Sequence, residues 1–181
     1  MTAKSFNFNV QLALSQTEEV HALVKEIMFE KFAGELLAIH QSHKENDKLG
    51  SDYALEFHNG KFEHLDVKVR SRDYYSETDK CNIAIEPSTG NKIGWALDAN
   101  KITDWVLFVF PDTKLGSLHH ARTLRTIVRK HWNDWQCTHK QSTQVTAGGY
   151  KSPCFYISDH ELWAAEYKQF SYAGSLYKAR K

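Results

Sequence analysis

Residues 52–71, DYALEFHNGKFEHLDVKVRS, decide how this chain is read. Apolar residues alternate on both sides of Asn59-Gly60: Tyr53, Leu55 and Phe57 before it, Leu65, Val67 and Val69 after it. Alternation with a period of two marks a strand with one buried face, and Asn-Gly between two such runs marks a hairpin. Two turns are open to it. A two-residue type I′ loop sets Leu55 opposite His64 and Tyr53 opposite Asp66, apolar against polar. A three-residue loop, in which a type I turn leads into Gly60 as a bulge, sets Leu55 opposite Leu65 and Tyr53 opposite Val67. The apolar faces then match, so the bulged hairpin is expected, with Phe57 opposite Glu63 as its weak point. On its polar face Asp52 stands opposite Lys68 and Ala54 opposite Asp66, which draws Asp52, Asp66 and Lys68 together.

Outward from the hairpin, residues 15–32 (SQTEEVHALVKEIMFEKF) open with Ser15 and Glu18 as a capping box. Val20, Leu23, Val24 and Ile27 follow at helical spacing. LAIHQSHKENDKLGS, from Leu37, reads as a loop. CNIAIEP reads as a strand stopped by Pro87, STGNKIG as a turn-rich loop, and ALDANKITD as a short helix. WVLFVF, Trp105 to Phe110, is a buried strand. Residues 117–135 (SLHHARTLRTIVRKHWNDW) read as an amphipathic helix with Leu124, Ile127, Val128 and Trp132 on its apolar side. Ala147-Gly148-Gly149 reads as a loop, SPCFYIS as a last strand and DHELWAAEYKQF as a terminal helix capped by Asp159. Helix, strands, helix, strand and helix make a mixed α/β domain. One domain is expected over residues 1–181, with a core of roughly 15–135 and a C-terminal strand and helix at 150–170.

With 181 residues, 41% hydrophobic and 13% aromatic, the chain has material for a sizeable core and is not of disordered composition. Its longest apolar run, Trp105–Phe110, is far shorter than the ~20 residues of a membrane span. The N-terminus, MTAKSFNFNVQLALSQ, lacks the apolar core of a signal peptide. Cys81, Cys137 and Cys154 are odd in number and not spaced as metal ligands, which reads as reduced thiols in an intracellular protein. The net charge of +1 hides an asymmetry. Met1–Asp66 carries 11 acidic and 6 basic residues, and Val67–Lys181 carries 11 acidic and 17 basic. That division suits a polyanionic partner approached by carboxylates.

Two carboxylates in one place repel each other unless a cation lies between them, and a hard divalent cation such as Mg²⁺ takes oxygen ligands of this kind. Such a cation activates water and neutralises charge on a phosphate, and a lysine beside it orients water or stabilises the transition state. Together these are the requirements of phosphodiester hydrolysis. Asp52, a hairpin, then Asp66-Val67-Lys68 resembles the PD-(D/E)XK nuclease superfamily, over roughly residues 15 to 110, and the order NIAIEP…GWALDANKITDWVLFVF is similar to its phage-type or resolvase-like members. Ser51 stands where that pattern often has proline. The resemblance implies a restriction-endonuclease-like mixed sheet flanked by helices. It also implies a Mg²⁺-dependent (or Mn²⁺-dependent) endonuclease acting on DNA, RNA being the alternative to DNA, with Asp52 and Asp66 as metal ligands and Lys68 as the third catalytic group. It further implies an acid from the first helix: Glu26, Glu30 and Glu35 are candidates, and Glu30 continues the line of Leu23 and Ile27. Glu86 is a further candidate ligand.

Arg122, Arg125 and Arg129 recur on one side of the 117–135 helix, Lys130 follows, and no acid occurs between Lys114 and Trp132. They form a candidate surface for a phosphate backbone. His119 and His120 precede them as further phosphate contacts. A homodimer is expected, because two active sites are needed to cut two strands and symmetric dimers are the commonest oligomers. The alternative is a module that keeps the fold and binds nucleic acid or protein without cutting.

Overall fold

The computed structural model describes residues 13–70, 83–89, 91–139, 141–145 and 151–172. The N-terminal alternation up to residue 12, Cys81, the 147–149 loop and the chain beyond residue 172 lie outside the described residues. Helix α1 (Glu18–Lys31) leads into strand β1 (Leu36–Gln41), short helix α2 (Lys44–Lys48) and the hairpin β2 (Tyr53–Phe57) and β3 (Phe62–Val69). Three short strands follow: β4 (Ile83–Ile85), β5 (Ser88–Thr89) and β6 (Lys92–Ile93). Then come β7 (Trp105–Phe110), β8 (Leu115–His120), α3 (Ala121–Thr138), β9 (Gln141–Val145), β10 (Lys151–Ile157) and α4 (Asp159–Tyr172). The main sheet has the order β1-β2-β3-β7-β8, antiparallel except for the parallel β3–β7 pair. A second sheet runs β4-β10-β9, and β5 pairs with β6. The fold is therefore a single α/β domain built on a mixed five-stranded sheet flanked by helices.

The hairpin loop is the bulged one. The Phe57 N–H donates to Lys61 O (3.0 Å), the Gly60 N–H to Phe57 O (2.9 Å), and the Lys61 N–H to the Asn59 side chain (2.9 Å). Gly60 has φ +80°, the left-handed conformation that favours glycine. The register, however, differs from the expectation by two residues. Tyr53 lies opposite Leu65, Ala54 opposite His64, Leu55 opposite Glu63 and Glu56 opposite Phe62. The loop closes with Phe57 against Lys61, and that fixes every pair beyond it. A slip of two keeps parity, so each side chain stays on its expected face while its direct partner changes.

That parity builds two cores. Tyr53, Leu55, Phe57, Leu65, Leu107 and Val109 face α1, whose Val20, Leu23, Val24, Ile27 and Met28 cover them. Val106, Phe108 and Phe110 face the other way, against Leu124, Ile127 and Val128 of α3, Ile83 and Ile85 of β4 and Phe155 and Ile157 of β10. Asp66 and Lys68 share this second face, paired across the parallel ladder with Val106 and Phe108.

Several boundaries differ from expectation. The 37–51 stretch is not a loop: it carries most of β1 and all of α2. Ser117–His120 belongs to β8, and the helix starts at Ala121. Ser117 and His119 alternate inward on that strand, which a helical reading of the apolar spacing alone does not separate. Residues 96–104 form turns instead of a short helix, because the Asp98 carboxylate takes the Asn100 N–H (2.9 Å) and stops the turn from propagating. The caps lie elsewhere too. Thr17, not Ser15, accepts the Val20 N–H (3.3 Å) at the start of α1, and Ser158, not Asp159, accepts the Glu161 N–H (3.1 Å) at the start of α4.

Candidate active site

Three elements bring the site together. The backbone between α2 and β2 turns at Gly50 (φ +84°) and runs into Ser51, which is fully buried. Ser51 Oγ lies 2.9 Å from Ser42 Oγ and 3.0 Å from His64 Nδ1, so the residue before Asp52 is fixed to both neighbouring strands. The Asp52 N–H then donates to Leu65 O (2.8 Å), and Asp52 Oδ2 accepts the Val67 N–H (2.6 Å). Asp52 thus sits against the backbone between Leu65 and Val67 instead of directly opposite Lys68, as the register expected from the sequence required.

On β3, Lys68 Nζ donates to Asp66 Oδ1 at 2.7 Å. Asp66 is only 6% exposed, and the Lys68 side chain 27%. Burial first, and then the neighbouring Asp66 carboxylate, push the Asp52 carboxyl up to about 7 against the opposing pull of Lys68 and of the Val67 N–H. Burial pulls the Lys68 ammonium down, but Asp66, Asp52 and Glu86 outweigh it and leave Lys68 above the ordinary lysine value. Two carboxylates, one of them holding a proton near neutrality, and one ammonium are therefore packed at the edge of an apolar core. A solvated salt-bridge cluster would not shift Asp52 in this way.

The third element is the segment from Gly94 to Asp104. Trp95 lies with its ring 5.4 Å from Lys68 Nζ. The His64 N–H donates to Asp104 Oδ2 (2.9 Å), the Asp104 N–H to His64 O (2.9 Å) and the Ala121 N–H to Asp104 O (2.7 Å), which ties β3 to the start of α3. Helix α3 therefore stands beside the cluster, not remote from it. Arg125 is half-buried, and burial lowers its guanidinium from the ordinary value while Asp66, Asp98 and Asp104 oppose that shift. Arg129 donates to Leu97 O (2.7 Å) on the same segment. Arg122 and Arg129 are exposed; Lys130, also exposed, turns toward Gln169 of α4 (3.4 Å).

Two expected contributors lie elsewhere. Glu30 is exposed near the end of α1, and α1 covers the opposite face of the sheet from Asp66 and Lys68. The 3.6-residue period that places Glu30 in line with Ile27 does not reveal which face of the sheet the helix covers. His119 is 1% exposed, with Nδ1 3.0 Å from Glu166 Oε1 and Nε2 3.3 Å from Asp159 Oδ1, so it joins β8 to α4 and is not at a phosphate-binding surface. His120 is exposed, its ring edge-on to Trp105. Glu86 acts on Lys68 through its charge. Among the described residues no group of three or more His, Cys, Asp or Glu converges as a metal site. In the sequence Asp104 is marked only as the end of the expected short helix, and the only trace of Trp95 is its place after Gly94. No helix among the described residues is long and apolar enough to cross a membrane. No protein-family model, curated protein or solved structure matches the chain.

Proposed function

We propose that this protein is a Mg²⁺- or Mn²⁺-dependent endonuclease of the PD-(D/E)XK type that acts on DNA as a homodimer, its sheet being of the restriction-endonuclease-like kind. The observation that carries the reading is half-buried Asp52, held on the Val67 N–H, beside buried Asp66, with Lys68 bonded to Asp66. A proton on Asp52 relieves the repulsion between the carboxylates, and a divalent cation would relieve it in the proton's place. Mg²⁺ keeps several of its waters and is commonly held by one or two carboxylates, so Asp52 and Asp66 fit it as a donor set without a third acid. When bound, the ion supplies an activated water and neutralises charge on the phosphate. Lys68, held on Asp66, presents an ammonium toward developing negative charge. Arg125 adds a half-buried guanidinium that feels the charge of Asp66, and Arg122 and Arg129 extend positive charge along the helix for the nucleic-acid backbone. Lys130, on the side toward α4, serves less well in this role.

The test is cleavage of plasmid, linear, branched and single-stranded DNA and of RNA with Mg²⁺ or Mn²⁺. The wild type is expected to cut at least one substrate, and Lys68→Ala and Asp66→Asn to lose about 100-fold or more in rate. If nothing is cut, while all three proteins bind nucleic acid equally, the non-catalytic module replaces this reading.

A further inference from the structure

Resting on the nuclease reading, we propose that Trp95 is the positioning residue for Lys68: its indole face holds the ammonium on the Asp66 side of the site. Three observations meet there. Lys68 Nζ lies over the Trp95 ring at 5.4 Å from its centroid while bonded to Asp66 Oδ1 at 2.7 Å, so the ammonium is fixed from two directions. The ring itself stands edge-to-face on Phe108 at 5.8 Å, directly across the parallel ladder from Lys68. The backbone that carries it is pinned at Gly94, whose N–H donates to Pro87 O (2.7 Å). A Cβ at Gly94 would come within 2.6 Å of both the Pro87 carbonyl carbon and the Ser88 nitrogen.

The choice of tryptophan is the informative part. Its Nε1 is buried with no hydrogen-bond partner among the described residues, which an apolar ring would avoid. A residue kept only for packing would pack as well as phenylalanine, without a donor to desolvate. What indole supplies beyond phenylalanine is the strongest aromatic face for a cation, and the cation at that face is Lys68. A lysine has four rotatable side-chain bonds. Holding its head group against a ring and a carboxylate leaves it placed for a phosphate, with little of its freedom left to lose when substrate arrives.

The experiment separates this contact from the nuclease reading. Protein labelled with 5-fluorotryptophan is observed by ¹⁹F NMR, the Trp95 signal being identified by its loss in Trp95→Phe. Lys68→Met is expected to move the Trp95 signal and to leave the other four tryptophans in place; an unmoved signal overturns the contact. Kinetics follow on whichever nucleic acid in the panel is cut. Trp95→Phe is expected to be as stable as the wild type or more so, with kcat lowered about threefold. Trp95→Leu is expected to lose about tenfold in kcat with KM unchanged. Wild-type kcat in a folded Trp95→Leu variant overturns the positioning role while the nuclease reading stands. A wild type that cuts nothing overturns both, whatever the NMR shows.

Discussion

Asp52 is where the chemistry of single residues is most exposed to test. Its carboxyl is raised from 3.8 to about 7, first by burial and then by Asp66. A carboxyl raised in the folded state contributes its full stability below the unfolded value, and that contribution is lost as pH rises through the folded one. The ionised pair therefore destabilises the fold above neutrality, by about 2–4 kcal/mol. Asp52→Asn removes the charge and keeps an oxygen for the Val67 N–H. Urea denaturation is expected to show the variant more stable than the wild type at pH 8, with the gap closing at pH 4; a gap that does not change with pH contradicts the shift. Millimolar Mg²⁺ at pH 8 is expected to raise the Tm of the wild type and to leave that of Asp52→Asn nearly unchanged, because an ion bound only by the folded state stabilises it. Lys68 and Asp66 were legible as a pair because a strand fixes residues i and i+2 on one face. Trp95 was not, because no local period links residue 95 to residue 68.

Between elements, two contacts decide how the parts dock. Gly94 lies against the backbone of Pro87 and Ser88, so Gly94→Ala forces backbone atoms apart and is expected to destabilise by about 1–3 kcal/mol. Calorimetry reads that loss, and a ¹⁹F shift of the Trp95 signal reports the displaced turn. The second contact is His119, enclosed by Ser117 beside it on β8, by Glu166, Asp159 and Trp163 of α4, and by the Phe108 ring. Burial opposes its protonation, but hydrogen bonds and charge from Asp159 and Glu166 prevail and raise it above 6.5. The stabilisation is present below pH 6.5 and lost as pH rises through the raised value. His119→Gln is expected to lower the urea midpoint at pH 6 and to flatten its fall as pH rises above 6.5. Hydrogen exchange in α4 follows the same dependence if the clamp holds that helix. In the sequence His119 and His120 look alike. Only the strand assignment of residues 115–120, which sets their side chains on opposite faces, separates the buried one from the exposed one.

For the whole molecule these groups act in one direction on the alkaline side. Asp52 and His119 both lose stabilising free energy as pH rises, from above 3.8 and above 6.5 respectively. Asp159 opposes them at the acid end: burial raises its carboxyl, but His119 and Ser117 hold it below 3.8, so its contribution is lost as pH falls through that lowered value. Maximum stability is expected on the acidic side of neutrality, with Tm higher at pH 5 than at pH 8.5. A profile that rises from pH 5 to pH 8.5 would contradict both shifts.

The sequence by itself determined the α/β class, the hairpin with Gly60 as its bulge, the buried strand Trp105–Phe110, the helical identity of α1, α3 and α4, and the shared face of Asp66 and Lys68. All of these follow from local periods and turn chemistry, which operate within a few residues. Tertiary structure alone decided the hairpin register, the strand β1, the opposite placement of α1 and Glu30, the approach of Trp95 to Lys68 and of Asp104 to the His64 backbone, and the influence of Asp66 on Arg125. Each depends on which surfaces meet across the sheet. Burial and charge, which set the chemistry of Asp52, belong to that meeting and to no single stretch of chain.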